Sequence, residues 1–345
     1  MPHLFGRDFT REELMQRVGR LDQVAGVQLV ERTDGAERGV RVLEFRTGSG
    51  FEFDVIVDRA MDIGRCEHQG RALGWQSATG FTGPWYFEPE DSGLAAWLRR
   101  RPGNHVRHGA RALHGRGHGG APPLSCQVHG ELWPARPRFL HTRQAHWVWR
   151  TLKDDAILWA EGEVQQAAVF GENFLLRRRV EATVGANHLR LHDEVTNAGW
   201  NPTPHMYLYH VNVGFLALDD GAELLIPASN LIPRGSHDVS GYRTFHGPVA
   251  GYEEQVTEHD VAAEADGSVP VAIANRVAGF GAYEVFNKTQ LPYHFIWRML
   301  GQGAYVVGIE PSTNRTSGRL PARESGELII LQPGVAGRTT SNWVH

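Results

Sequence analysis

Thr203 to Pro227 reads TPHMYLYHVNVGFLALDDGAELLIP. Pro202 and Pro204 bar a helix at its start and hold the chain extended. A run of aromatic, apolar and β-branched residues follows, with His210 and Asn212 two apart. In a strand, residues two apart point to the same face. His210 and Asn212 therefore share one face, while Tyr207 and Tyr209 point to the other and His205 is off register from the polar pair. A polar pair on an apolar strand needs a reason. One is a buried histidine whose nitrogens are satisfied by neighbours; the other is chemistry.

The flanking sequence carries the same signal. Ala25–Glu31, Val40–Thr47 and Phe51–Val57 are short β-rich runs separated by Asp34-Gly35 and Gly48-Ser49-Gly50. Ala160–Phe170, Phe174–Val184 and His188–Asn197 read as three consecutive strands, then Tyr293–Met299, Ala304–Glu310 and Leu328–Pro333. Within them, Leu189, Leu191, Asp193 and Val195 share a face. Arg177-Arg178-Arg179 reads as part of a solvated sheet face neutralised by glutamates rather than a nucleic-acid contact. Residues 228–270 read as a long polar loop with short strands. The main helical signal is the capping box Thr10-Arg11-Glu12-Glu13, which predicts a short helix over 11–18. Many short strands with glycine punctuation predict an all-β sandwich or barrel.

The 345 residues carry a net charge of -4 and are 41% hydrophobic, which suits one large all-β domain or two ordinary ones with ample material for a core. Slight acidity offers no global attraction to nucleic acid or to an anionic membrane. The start MPHLFGRDFTREEL has no signal-peptide pattern, and no apolar run approaches about 18 residues. These features predict a cytoplasmic protein. Cys66 and Cys126 are too few and scattered for a disulfide framework or a thiolate metal site.

His210-x-Asn212, followed by an apolar patch, Asp219-Asp220-Gly221 and a strand ending in Ile226-Pro227, resembles the acid-histidine segment of the galactose mutarotase (aldose 1-epimerase) superfamily. Tyr305-Val306-Val307-Gly308-Ile309-Glu310-Pro311 stands where that superfamily carries a glutamate base. Asp58-Arg59-Ala60-Met61-Asp62-Ile63 is similar to a motif of its aldose 1-epimerase-like branch. The likeness runs over residues 10–98 and 152–334. It implies a single β-supersandwich domain, mostly antiparallel, and a small sugar as ligand, with neither cofactor nor metal. It also implies Glu310 as base and His210 as acid in opening and reclosing a pyranose ring. Asn212, Tyr209, Asp58, Arg59 and Trp297 are the expected substrate-binding residues. For Asp58 and Arg59 a structural ion pair at a tight turn is the alternative. A sugar ring between acid and base predicts reactive atoms roughly 5–8 Å apart in one open cleft. A sugar-binding protein without turnover, or an inactive product of a damaged epimerase-like gene, are the other readings.

Residues 99–146 break the pattern. They hold nine arginines and seven histidines against one acidic residue, Glu131. The spacings of His105, His108, His114, His118 and His129, without nearby carboxylates, fit no standard metal-ligand set. The segment reads instead as a neighbouring frame of the same gene. With suitable synonymous codons, a one-base shift conceals a Tyr-Gly-Leu-His-Gly-Arg motif whose histidine falls across the codons of Ala135 and Arg136. That motif resembles the family's second sugar-binding histidine segment. On this reading Leu113-His114-Gly115-Arg116 is a coincidence, and residues 99–150 are expected to be irregular and exposed. A family-specific insertion is the alternative.

Overall fold

Strand alternation is translated directly into layers. The structure, a computed structural model, describes residues 1–83, 105–108, 138–150, 155–167 and 171–344, with only the backbone for 105–108, 138–150, 155 and 342–344. Three sheets dominate, and every pairing between their strands is antiparallel. A five-stranded meander runs through Gly26–Glu31, Arg41–Arg46, Phe51–Ile56, Asp62–His68 and Arg71–Ala72. An eight-stranded sheet orders Glu223–Leu225, Ser268–Asn275, Phe280–Asn287, Ala336–Val344, His188–Asn197, Asn173–Thr183, Asp155–Ala167 and Arg138–Arg150. A six-stranded sheet orders Ala228–Pro233, Gln255–Val261, Tyr293–Gly301, Ala304–Ser312, Tyr207–Val213 and His105–His108. The all-β expectation holds.

Helix is confined to short pieces. Arg11–Met15 begins at the capping box, with Thr10 and Glu13 each bonding the other's backbone. It ends earlier than residue 18. A second helix, Arg319–Glu324, follows the last strand of the six-stranded sheet. No helix among the described residues is long and apolar enough to cross a membrane.

The long loop with short strands expected over 228–270 is present. It holds the strands Ala228–Pro233 and Gln255–Val261 and the start of Ser268–Asn275. Polar Thr257 and His259 take inward positions while Ile232 faces out, which hid the period. Irregular chain was also expected throughout 99–150. Within it, His105–His108 pairs with Tyr207–Val213, and Arg138–Arg150 pairs with Asp155–Ala167 across two bulges. The rest of that stretch, including the other three histidines considered as metal ligands, lies outside the described residues.

One charged cluster ties the three sheets together. Arg178 and Asp193 are cross-strand partners at positions where the alternation points into the core. Arg178 is 0% exposed and donates from Nε and Nη2 to the two Asp193 oxygens at 2.8 and 2.7 Å. Its Nη1 donates to the carbonyls of Ala60 and Met61, both at 3.3 Å. Tyr207 and Tyr209 hydroxyls donate to Asp193 Oδ2 at 2.5 and 2.8 Å, and Tyr209 also meets Thr339 Oγ1 at 2.9 Å. Arg178 thus belongs to the core and corrects the solvated-face reading. Arg177 and Arg179 do point outward, paired with Glu163 and with Glu161 and Glu181.

The same cluster explains the Asp-Arg-x-Met-Asp-Ile motif. Ala60 and Met61 have φ of 59° and 54°, a left-handed conformation disfavoured for residues with a Cβ. That turn aims their carbonyls at the buried guanidinium, whose donors would otherwise be unmet. The turn is therefore shaped to complete the core.

Candidate active site

Two strands nearly a hundred residues apart in sequence build the site. Tyr207–Val213 and Ala304–Ser312 pair antiparallel, with Asn212 opposite Gly308 and Val211 opposite Ile309. This register puts Glu310 opposite His210, on the face they share with Asn212 and Gly308. Cross-strand partners have Cβ atoms only about 4.5–5.5 Å apart, so the two side chains must meet. His210 Nε2 lies 2.9 Å from Glu310 Oε1.

The strand spacing overturns the expected 5–8 Å separation. No sugar ring fits between partners on adjacent strands. His210 and Glu310 are 4% and 6% exposed, side by side at the floor of a sheet face. Gly308 makes this possible. A Cβ there would stand 2.9 Å from His210 Cε1 and 3.0 Å from Glu310 Oε1, closer than side-chain carbons pack. The missing side chain is the hollow in which the imidazole and carboxylate lie.

The next strand supplies an aromatic wall. Tyr293–Gly301 pairs with Ala304–Ser312 so that Trp297 is opposite Gly308 and Phe295 opposite Glu310. The half-buried Trp297 ring lies 5.5 Å from that of His210, tilted by 60°. Its Nε1 donates to Glu254 Oε2 at 2.9 Å, which sets the orientation of the indole. Tyr293 continues the same face and carries the Arg315 guanidinium 4.7 Å above its ring. Arg315 in turn bonds Glu258 and Glu327. At the other end, the Trp75 N–H donates to the Asn212 carbonyl at 2.9 Å and Gly74 bridges Val213.

The remaining expected site residues are dispersed. Asn212 shares the face of the pair and is 3% exposed. Tyr209, expected to touch substrate, lies on the opposite face with its hydroxyl on Asp193 and Thr339. Its alternation with His210 dictates this. Asp58 accepts from the Arg41 backbone N–H at 2.8 Å and from Arg41 Nη2 at 2.6 Å. It closes the five-stranded sheet through a structural ion pair made with Arg41 of the neighbouring strand rather than with Arg59 in the turn. Arg59 is half-buried in the same turn, its N–H on the Ile56 carbonyl at 3.1 Å. Sequence reasoning missed Gly308 and Glu254. A glycine inside an apolar strand, two residues from a candidate base, was the available signal for the first. Glu254 had none.

A separate hollow beside Val211 and Ile309 is lined by Phe51, Cys66 and Leu73. It is apolar and lies on the far face of the sheet from the pair. Among the described residues no three His, Cys, Asp or Glu side chains converge as metal ligands.

Several solved structures share this architecture. A candidate aldose 1-epimerase from Klebsiella pneumoniae superposes with a TM-score of 0.76 at 20% identity, over 92% of this chain and 82% of that one. A galactose mutarotase-like protein from Clostridium acetobutylicum gives 0.58 at 11% identity, over 92% and 98%. A galactose 1-epimerase from Lactobacillus acidophilus gives 0.52 at 11%, over 93% and 98%. At these identities the likeness establishes a galactose mutarotase-like β-sandwich. No curated protein matches the chain in sequence. A family model described as a domain of unknown function, DUF4432, matches residues 37–342, and the chain belongs to that family.

Proposed function

We propose that this protein interconverts the anomers of a small free sugar by opening and reclosing its ring. The observation that carries the reading is the direct His210–Glu310 contact, buried in a hollow cleared by Gly308 and walled by Trp297. Ring opening moves two protons. The anomeric hydroxyl loses one to a base as the ring oxygen gains one from an acid, and the C1–O5 bond breaks to leave an open-chain carbonyl. Rotation about C1–C2 and closure on the other face return both protons.

Acid and base side by side imply one mode of approach. The anomeric hydroxyl and the ring oxygen are bonded to the same carbon, so they are close neighbours. A sugar standing edge-on above the pair presents both at once, O1 to Glu310 Oε1 and O5 to His210 Nε2. Protons then transfer on the same edge of the ring. Trp297 offers an apolar surface for the C–H face of the sugar, and Asn212 a polar group beside the anomeric edge.

The test is polarimetry or NMR on freshly dissolved single anomers of several neutral aldoses. Equilibration should accelerate over buffer in proportion to protein concentration. Binding without acceleration would favour the second reading, a sugar-binding protein, to which the burial of His210 and Glu310 lends support. Neither binding nor acceleration would end the sugar assignment. Coding DNA across residues 95–155, compared with close relatives, separates an intact gene from one with a shifted frame.

Gly308→Ala gives a sharper check. The added methyl must displace His210 or Glu310, and misplacement of reacting groups by about 1 Å costs on the order of 100-fold in rate. Thermal unfolding should stay near that of the unaltered protein while the anomerisation rate falls by about that factor. An unchanged rate would remove the hollow from the mechanism.

A further inference from the structure

The inner face of the six-stranded sheet carries a run of side chains that the sugar chemistry leaves unused. Glu258 pairs with Phe295, which puts His259 opposite His294. They are 2% and 0% exposed, and their rings meet edge to face with centroids 5.7 Å apart. Phe286 stacks on His294 at 5.5 Å, and Tyr242 lies against His259 at 5.4 Å. Arg298, four residues along from His294 on the same face with Ile296 between, holds its guanidinium 4.6 Å from the Phe245 ring and 5.9 Å from that of Tyr242.

Burial keeps both imidazoles neutral, each with one N–H donor and one acceptor nitrogen, and the run holds no anion to answer Arg298. Both ring nitrogens of His294, the Tyr242 hydroxyl and Arg298 Nη2 are buried without a hydrogen-bond partner among the described residues, and His259 has at most the Thr257 backbone. No carboxylate there pairs with Arg298, and burial pushes its pKa down. Glu284, two residues from Phe286 on its strand, is no substitute counter-charge. Burial raises its carboxyl to about 8, and Ser341 already bonds one oxygen. Arg243 adds a second cation 5.3 Å from the Tyr242 ring. Buried donors without partners are costly, and an unneutralised buried guanidinium more so.

A guanidinium fork, a hydroxyl and imidazole N–H groups on one side of a sheet are answered by an acceptor of negative charge. We propose that Arg298, Tyr242, His259 and His294 form an internal site for a small oxyanion, a phosphate or carboxylate group. It is entered beside residues 241–245, where Tyr242 is half-buried and Arg243 exposed. The bound anion would brace the Tyr293–Gly301 strand from behind, opposite the face that presents Trp297. The site is independent of the sugar reading.

Thermal unfolding of the full chain at constant ionic strength tests it, with chloride replaced by phosphate, sulfate or acetate. Ligand that binds only the folded state raises its stability in a saturable way. Phosphate or acetate should raise Tm saturably, and whichever acts at lower concentration identifies the favoured group. Arg298→Met should lose the dependence. Tyr242→Phe, which keeps the ring, should weaken the apparent affinity about five- to tenfold. Equal effects of all anions in the unaltered protein would overturn the proposal and leave interior waters to satisfy the donors. An undiminished shift in Arg298→Met would place the anion elsewhere. If that variant does not fold, an undiminished affinity in Tyr242→Phe has the same force.

Discussion

Asp193→Ala is expected to abolish cooperative folding. The carboxylate it removes accepts from Arg178 at two atoms and from both Tyr207 and Tyr209. Its loss removes the bidentate partner of a guanidinium that is 0% exposed and the acceptor of the buried Tyr207 hydroxyl, while Tyr209 keeps Thr339. Removing one partner of a buried ion pair costs about 3–5 kcal/mol. Orphaning the Tyr207 donor adds about 1–3 kcal/mol. The sum rivals the ~5–15 kcal/mol that holds a typical protein folded. Urea unfolding should show no folded baseline, and soluble yield should collapse. Arg178→Met combined with Asp193→Leu should recover part of the loss, because it removes the uncompensated guanidinium, although buried Asp62 then gives up its 3.5 Å contact with Arg178. A stable Asp193→Ala protein would show that the cluster does not bind the sheets.

The cluster also sets an acid limit. Burial raises the Asp193 carboxyl, but Arg178 and the two tyrosine hydroxyls outweigh it and hold the pKa below its ordinary value. A depressed folded pKa contributes stability above the unfolded value of about 3.9. That contribution is lost as pH falls through the folded value. Acid unfolding of the unaltered protein should therefore lie below the ordinary carboxylate range as far as this group governs it.

Glu310→Gln is expected to remove catalysis while leaving the fold and sugar binding in place. Glutamine keeps the size of the side chain and an oxygen to meet His210 Nε2 at the 2.9 Å contact. It has no basic oxygen to take the anomeric proton. A positioned general base is worth about 100- to 10,000-fold, so the protein-dependent rate should fall by at least about 100-fold. Polarimetry reads the rate, calorimetric titration the binding, and thermal unfolding the fold. Full activity in Glu310→Gln would eliminate Glu310 as base. His210→Gln should lose activity too, through the ring-oxygen proton. Equal losses in both single variants and in the double variant would mark the two as one unit.

Much of the fold was legible locally. A period of two, read with glycine and proline stops, located His188–Asn197 to the residue and Asn173–Thr183 to within one. The capping box located the start of the first helix. These signals are local because a strand's inside and outside alternate along its own backbone, whatever it pairs with. The shared face of His210 and Asn212 was legible for the same reason, as was the opposite face of Tyr209. Its expected place beside the substrate came from a resemblance and conflicts with that alternation.

Tertiary structure decided what depends on partners far apart in sequence. Arg178 reads as surface because charge is normally solvated, and only the arrival of Asp193, Ala60 and Met61 makes its burial tolerable. Asp58 reads as a sugar ligand until Arg41 is seen to occupy it. Most of all, the distance between His210 and Glu310 is a matter of register between two strands. Shifting that register by one residue would send Glu310 to the other face, and by two would part it from the histidine. Side-chain types and alternation determined which groups could do proton chemistry and which face each would occupy. Strand pairing alone brought His210 and Glu310 into contact, because hydrogen-bonded backbones hold opposite residues closer together than a sugar ring is wide.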